Sequence, residues 1–323
     1  NTNTFEASVA NIIKSTEEGK LKSGGKYALL EKPAKGNKIE ARILLRMGDE
    51  KSLSQKSMIA TLTANMLKLG TKTRSKKDIN DQLDQYKINL SLGGSVDGLY
   101  VRISTDKTNL NNALNLVQDI LRNPSFDVTE FEKLKLETKS GLESNRNEPQ
   151  AVANQELTKL TALYPKTHPY YSESIDESLA TLDKITIEDL KNFYASCYGG
   201  SNSISSFVGG IDKDLIKKFL NSTFDNWNPK IAYKRIPTQY FDVKSNDKTI
   251  QINDKTNATL FGKINLNIGK KNPDYPALEM ANELLGGGAF LSSRIPQRLR
   301  GTEGLSYGAG SYFQANTIDP TSE

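Results

Sequence analysis

The 323-residue chain has one cysteine, Cys197, one histidine, His168, and one tryptophan. A single cysteine excludes an internal disulfide framework. Cys197 lies in Phe193-Tyr194-Ala195-Ser196-Cys197-Tyr198, an aromatic helix end, where a buried thiol is expected rather than a nucleophile. His168 sits between Pro165 and Pro169 in a loop-like stretch. A zinc site needs three or four His, Cys, Asp or Glu ligands, so one histidine with one distant cysteine argues against one. A Ser-His-Asp arrangement would need His168 as its base, and no nucleophile signature accompanies it. No apolar run approaches the 18 residues of a membrane-spanning helix. Nor is there a dense basic block. Net charge is +5, signs alternate as in Glu130-Phe131-Glu132-Lys133, and clusters such as Arg74-Ser75-Lys76-Lys77 are short. This pattern fits a solvated surface and does not offer the one-sided clustering a nucleic-acid stripe needs; a basic nucleic-acid binder, the least favoured reading, would be retained on heparin and released by salt. The chain opens Asn-Thr-Asn-Thr without methionine and is expected to be a processed or excised piece.

The aromatics present, eleven Phe and thirteen Tyr, are enough to anchor folded cores. The length fits about two domains. Lys26–Lys32 and Glu40–Met47 read as strands around a Pro33–Asn37 turn, together an antiparallel hairpin. Ser52–Leu69 has helical spacing, with Met58, Ile59, Leu62, Met66 and Leu69 on one side and Gly70 as C-cap. Ser75–Tyr86 reads as a helix, Ile88–Leu92 and Leu99–Ile103 as strands. Thr108–Leu121 is an amphipathic helix through Leu110, Leu114, Val117 and Leu121, and 130–147 and 150–164 are long helices. Thr186 and Asp189 form a capping signal for a helix to about Ser196. Ile204–Val208 is a strand closed by Gly209-Gly210.

Strand pairs followed by runs of helices make an α+β pattern, with a mainly antiparallel sheet packed against helices. The divisions are 1–24, a polar lead-in; 25–210, a first domain; 211–248, a connecting helix and linker; and 249–323, the start of a second domain. In the last part Ala258–Ile268 and Tyr307 to about Phe313 read as strands, and Tyr275–Leu285 and Ser292–Arg300 as helices. Strand, glycine, helix, glycine repeats the order of Ile43 to Gly70, so the second domain is a shortened copy. Gly286-Gly287-Gly288 follows a helix where a phosphate loop would precede one, which argues against nucleotide binding.

Two stretches carry a resemblance. One is Leu182-Asp-Lys-Ile-Thr-Ile-Glu-Asp-Leu-Lys-Asn-Phe-Tyr194 with Tyr198, Asn202 and Phe207-Val-Gly-Gly-Ile-Asp212; the other runs from Phe290-Leu-Ser-Ser-Arg through Arg300-Gly-Thr-Glu-Gly-Leu-Ser-Tyr307 to Gly310. Over about residues 25–315 the chain resembles the pitrilysin/insulinase family of zinc peptidases, the inverted zincins. The resemblance implies repeated α+β domains in two halves that close around a chamber. It also implies a His-x-x-Glu-His helix in the catalytic half. In that motif two histidines one helical turn apart reach one zinc ion, and the glutamate serves as general base.

Met66-Leu-Lys-Leu-Gly-Thr71 matches the stretch that follows the motif, which puts Thr61, Ala64 and Asn65 where His, Glu and His belong. None of the three serves as an ordinary zinc ligand or base in those roles. This chain is therefore expected to hold no metal or other cofactor, with zinc on a separate catalytic half. The resemblance also implies that Arg300 and Tyr307 act in trans: Arg300 on peptide carbonyls, Tyr307 on the oxyanion of the attacked amide. Arg294 and Arg298 are the runners-up and are expected to face solvent.

The expected function is the non-catalytic half of a clamshell zinc metallopeptidase. Its partners would be a catalytic half carrying His-x-x-Glu-His, in the same polypeptide or a separate chain, and a peptide substrate. The other reading is an inactive relative that binds peptides or assembles a complex. The low cysteine content fits a bacterial periplasm or cytoplasm equally. Because the second domain is shortened, Leu278, Leu285 and Phe290 are expected to lack apolar partners and to favour self-association.

Overall fold

β3 (Lys38–Arg46) alternates in full: Ile39, Ala41, Ile43 and Leu45 are buried, while Lys38, Glu40 and Arg42 face solvent. That period of two places one face of a sheet against a core. In the computed structural model, which describes residues 5–253, 255–288 and 293–323, β3 is the centre of a six-stranded sheet. The other strands are β1 (Thr16–Lys20), β2 (Lys26–Glu31), β4 (Asn89–Ser95), β5 (Gly98–Asp106) and β6 (Ser203–Gly209). Their order is β1-β2-β6-β3-β5-β4. Only β2 and β6 run parallel; every other pair is antiparallel. The mainly antiparallel α+β class expected from the sequence is the one observed.

The expected hairpin of β2 with β3 does not form, because β6 lies between them. It pairs Leu29 with Phe207 on one side and Ala41 with Phe207 on the other. Gly209 makes this insertion possible. Its φ is +124°, and a Cβ there would meet the Lys38 carbonyl oxygen at 2.0 Å. The 1–24 stretch is also more than a lead-in. Ser8 caps α1 (Val9–Ser15), and β1 pairs with β2. β1 reads Thr-Glu-Glu-Gly-Lys, an edge strand with no apolar alternation to reveal it.

The chain divides into two compact units. One comprises the residues up to Ser144 with Pro165–Arg235, the other Asn145–Tyr164 with Ile236–Glu323. The first unit holds the sheet together with α2 (Ser57–Met66), α3 (Lys76–Gln85), α4 (Leu110–Arg122) and most of α5 (Val128–Asn145). It also holds α7 (Ile175–Lys184), α8 (Ile187–Cys197) and α9 (Lys213–Phe224). In α4 the expected Leu110, Leu114, Val117 and Leu121 are all buried, along with Ala113, Leu116 and Ile120. Each such Leu, Ile or Val contributes about 1.5–3 kcal/mol by leaving water. The Thr186–Asp189 capping box is present, and Ser75–Asp78 and Ser174–Glu177 form two more. α2 starts five residues later than its spacing predicts. Asp49 and Ser52 exchange side-chain and backbone hydrogen bonds, and Gln55 has φ +55°, so residues 49–55 turn instead of winding a first helical turn.

The second unit holds α6 (Pro149–Thr161) and α10 (Tyr275–Asn282). Polar contacts fix much of it. Asn265 donates to the carbonyls of Thr161 and Phe241, and Thr238 donates to Asp319 through its backbone and its hydroxyl. Glu156 pairs with Lys248 at 2.5 Å, and Tyr164 meets Phe241 edge-on at 4.8 Å. The expected strands at 258–268 and from Tyr307 to Phe313 do not form ladders. Leu266 and Ala315 each make one isolated bridge, both to Ser322. The helix expected over 275–285 ends at Asn282 and continues as a wider π-helical turn, Glu283–Gly287. Leu278 is half-buried and Leu285 exposed. Phe290, and the start of the helix expected at Ser292, lie outside the described residues. No described helix is long and apolar enough to cross a membrane.

Candidate functional site

α2 carries Thr61, Ala64 and Asn65, and it packs against the edge strand β4 and against α8. The approach to β4 is close: a Cβ on Gly94 would meet the Cβ of Ala64 at 2.6 Å. Ala64 is fully buried, and the small residue is what lets the helix lie this near the strand. Thr61 is exposed, and its hydroxyl donates to the Ser57 carbonyl within the same helix at 3.1 Å. Asn65 is half-buried. A methyl group, a hydroxyl turned back on its own helix and an amide do not make a zinc donor set. These residues do not fit the metal, and no chemistry on this chain is derived through one. Among the described residues no group of three or more His, Cys, Asp and Glu is placed to hold a metal ion.

The end of the same motif is structural. Gly70 has φ +153°, and the Thr71 hydroxyl donates to Asp119 on α4 at 2.6 Å. Asp119 also accepts from Thr73 at 3.1 Å, Arg74 at 2.6 Å and Asn123 at 2.9 Å. Burial pushes the Asp119 carboxyl up, but these four donors outweigh it and hold it below its ordinary value. Sequence reading missed this network because its members lie on separate elements; the only signal was the Gly-Thr pair itself.

Neither lone residue joins a reactive group. His168 is buried, and its Nδ1 accepts from the Tyr170 backbone N–H at 3.0 Å. Tyr170 in turn donates to Asp97 at 3.0 Å, tying the loop to the β4–β5 turn. Cys197 is buried as expected, and desolvation pushes its thiol up to about 11. It is protonated and unreactive at neutral pH.

In the second unit Arg300 and Tyr307 meet. Arg300 sits on a π-helical turn, Gln297–Thr302, where sequence spacing predicts the end of an ordinary helix. The Leu305 N–H donates to the Leu299 carbonyl at 2.8 Å, and Gly304 has φ +63°, so the chain doubles back. The Arg300 guanidinium then lies 4.4 Å from the centre of the Tyr307 ring, a cation–π contact. Tyr307 is 79% exposed and lies in irregular chain. The stack fixes a planar fork of donors beside a phenol open to solvent. Arg294 and Arg298 are exposed, and Arg298 pairs with Glu303 at 2.5 Å.

Residues 30–168 match the profile of the insulinase family, peptidase family M16. Residues 184–321 match that of the peptidase M16 inactive domain. Among curated relatives, a non-peptidase homolog, YmxG, of Helicobacter pylori is 24% identical over 82% of this chain and 60% of its own length. An uncharacterized zinc protease of Rickettsia felis is 24% identical over 85% of this chain and 64% of its own length. The chain thus spans less than two thirds of both. The solved structure of a peptidase M16 inactive domain from Pseudomonas fluorescens has the same fold. It covers 95% of this chain and 73% of its own, with a TM-score of 0.75 and 22% identity.

Proposed function

From the premise that the chain belongs to the M16 (insulinase) peptidase family and matches its inactive domain, we propose that it is the non-catalytic half of a two-part zinc peptidase. The catalytic half, carrying His-x-x-Glu-His, is either fused to it or a separate chain. Zinc held by that half would supply an activated water and a Lewis acid. Arg300 grips peptide carbonyls through its fork of N–H donors. Tyr307 donates a hydrogen bond from its phenol to the oxygen that gains charge as the amide is attacked. The observation carrying this reading is the stack of Arg300 on Tyr307, which brings a half-buried guanidinium beside an exposed phenol. The replacement of the zinc donors by Thr61, Ala64 and Asn65 supports the same division of labour.

The test is to combine the chain with its catalytic half and assay unfolded peptides. Arg300→Ala should lower kcat/KM by about 10–100-fold, the weight of one hydrogen bond to a charged group. Tyr307→Phe keeps the ring and should act on kcat, since a bond to the oxyanion strengthens only in the transition state. Zinc content of the catalytic half should not change in either variant. Wild-type turnover in both folded variants would remove the peptidase reading. A second reading, a peptide-binding or assembly scaffold, is favoured by the likeness to a relative named a non-peptidase homolog. It predicts peptide retention by this chain alone, with no gain in hydrolysis on adding the catalytic half.

A further inference from the structure

Between Glu283 and Asp319 the sequence holds three cations, Arg294, Arg298 and Arg300, and one acidic residue, Glu303. Arg300 and Glu303 are three residues apart, Arg298 and Glu303 five. On an α-helix side chains three apart are neighbours. Those five apart point about 140° away from each other, at 3.6 residues per turn. An ordinary helix would therefore give Glu303 to Arg300. The structure gives it to Arg298.

The backbone supplies the reason. Gln297–Thr302 is a π-helical turn, and the Glu303 N–H donates to the Arg298 carbonyl at 3.0 Å, one residue further back than in an α-helix. The Thr302 hydroxyl donates to the Gln297 carbonyl with the same five-residue spacing, at 3.4 Å. This wider ring turns Glu303 over Arg298, whose guanidinium it meets at 2.5 Å. Arg298 and Glu303 are thus joined twice, through backbone and through side chains. The Arg300 guanidinium, carried on the same turn, lies 4.4 Å from the centre of the Tyr307 ring. Each of these contacts falls within 297–307, so one short segment sets the arrangement. Single π-turns of this kind recur at functional sites.

We infer that Arg298 is a positioning residue for Arg300. By occupying the one carboxylate of this segment, Arg298 keeps Glu303 from capturing Arg300, and the Arg300 fork stays stacked on Tyr307. The wide turn assigns one arginine to the carboxylate and the other to the phenol. An exposed ion pair shifts an equilibrium by up to about fivefold, enough to choose between two arginines on one turn. What the stacked pair does to a peptide rests on the peptidase reading; the assignment of the two arginines does not.

The probe is the full chain labelled with 3-fluorotyrosine, the Tyr307 resonance being assigned by its loss in Tyr307→Phe. Arg300→Ala sets the unstacked limit of that resonance. Arg298→Gln releases Glu303 and should move the resonance toward that limit, lowering the ratio of stacked to unstacked forms about fivefold. Glu303→Gln removes the competitor together with the ion pair and should lower the ratio less, by about twofold. The double variant Arg298→Gln/Glu303→Gln should match Glu303→Gln alone, because the harm of losing Arg298 passes through Glu303. A double variant as damaged as Arg298→Gln would overturn the inference. So would an unmoved resonance in Arg298→Gln, or a wild-type resonance already at the Arg300→Ala limit. With the catalytic half added, hydrolysis should fall in the same order as the stacked ratio. The fluorine result with no change in hydrolysis would uphold the role of Arg298 and count against the peptidase reading.

Discussion

β3 and the 258–268 stretch carry nearly the same alternation of aliphatic and polar side chains, yet only β3 is a strand. β3 has β6 and β5 on its two sides, with Leu45 opposite Ser203 and Leu99. Its inner face is sealed, Ile43 and Leu45 being at most 1% exposed. The 258–268 stretch has one bridge, at Leu266, and leaves Leu260 and Ile264 in solvent. The two units thus separate pattern from context. Alternation states which face a strand would bury, while neighbouring strands decide whether it forms.

The sharpest way to break this comparison is a pair of truncations. Leu45→Ala should cost about 2–5 kcal/mol, because it opens a cavity in a sealed core. Ile264→Ala should cost less than about 0.5 kcal/mol, as an exposed site away from any packed feature. Urea unfolding followed by Trp227 fluorescence reports the first unit, since the indole stacks on Phe224 and lies under Arg122, and amide exchange across 236–323 reports the second. Equal costs would mean that the second unit is packed in solution. Asp119→Ala comes next. It strips Thr71 and Arg74 of a shared acceptor and should cost about 1–3 kcal/mol in the same assay. A smaller loss, about 1 kcal/mol, should follow Thr186→Ala, which removes the N-cap of α8.

Acid titration gives the gentlest contrast. Lys166, the Ser174 backbone N–H and Tyr171 hold the Glu177 carboxyl down from 4.5 to about 2. A depressed carboxyl stabilises in full above its unfolded value and loses that contribution as pH falls through the folded one. The first unit should therefore weaken between about pH 4.5 and 2, with Asp119 adding in the same direction. In the second unit Glu156 is also lowered, by Lys248 and Lys159. The Lys166–Glu177 pair is at least as exposed as those two, so added salt should erase part of the acid dependence in both units. Tyrosine fluorescence and amide exchange at several salt concentrations would check this.

The parts legible in sequence were those set by local chemistry. The burial of α4 follows from leucine spacing, and the start of α8 follows from Thr186 and Asp189. The Met66–Thr71 stretch puts Thr61, Ala64 and Asn65 where the resemblance implies zinc donors, and the three residues lie on α2. The contact of Arg300 with Tyr307 was not legible, because the π-helical turn and irregular chain that bring them together leave no periodic signal. β1 stayed hidden because an edge strand needs no apolar face. The Asp119 network stayed hidden because four donors converge on it from one loop and one helix end, with no fixed spacing. The hairpin of β2 with β3 failed for a topological reason: local turn chemistry is blind to a strand arriving from 170 residues away.

That late arrival has a consequence for synthesis. β2 and β3 emerge well before β6 and are adjacent in sequence, yet their native places are separated by the width of one strand. The gap between them cannot be filled until Ser203–Gly209 has left the ribosome. At roughly 5–20 residues per second, the interval after β3 lasts on the order of 10–30 s. Throughout it, Leu29, Ala41 and Ile43 border an open slot, and pairing β2 directly with β3 is the nearest wrong answer. A nascent chain arrested before β6 should therefore be the species most prone to mispair and to be captured by chaperones, and release of β6 should be the step that commits the sheet.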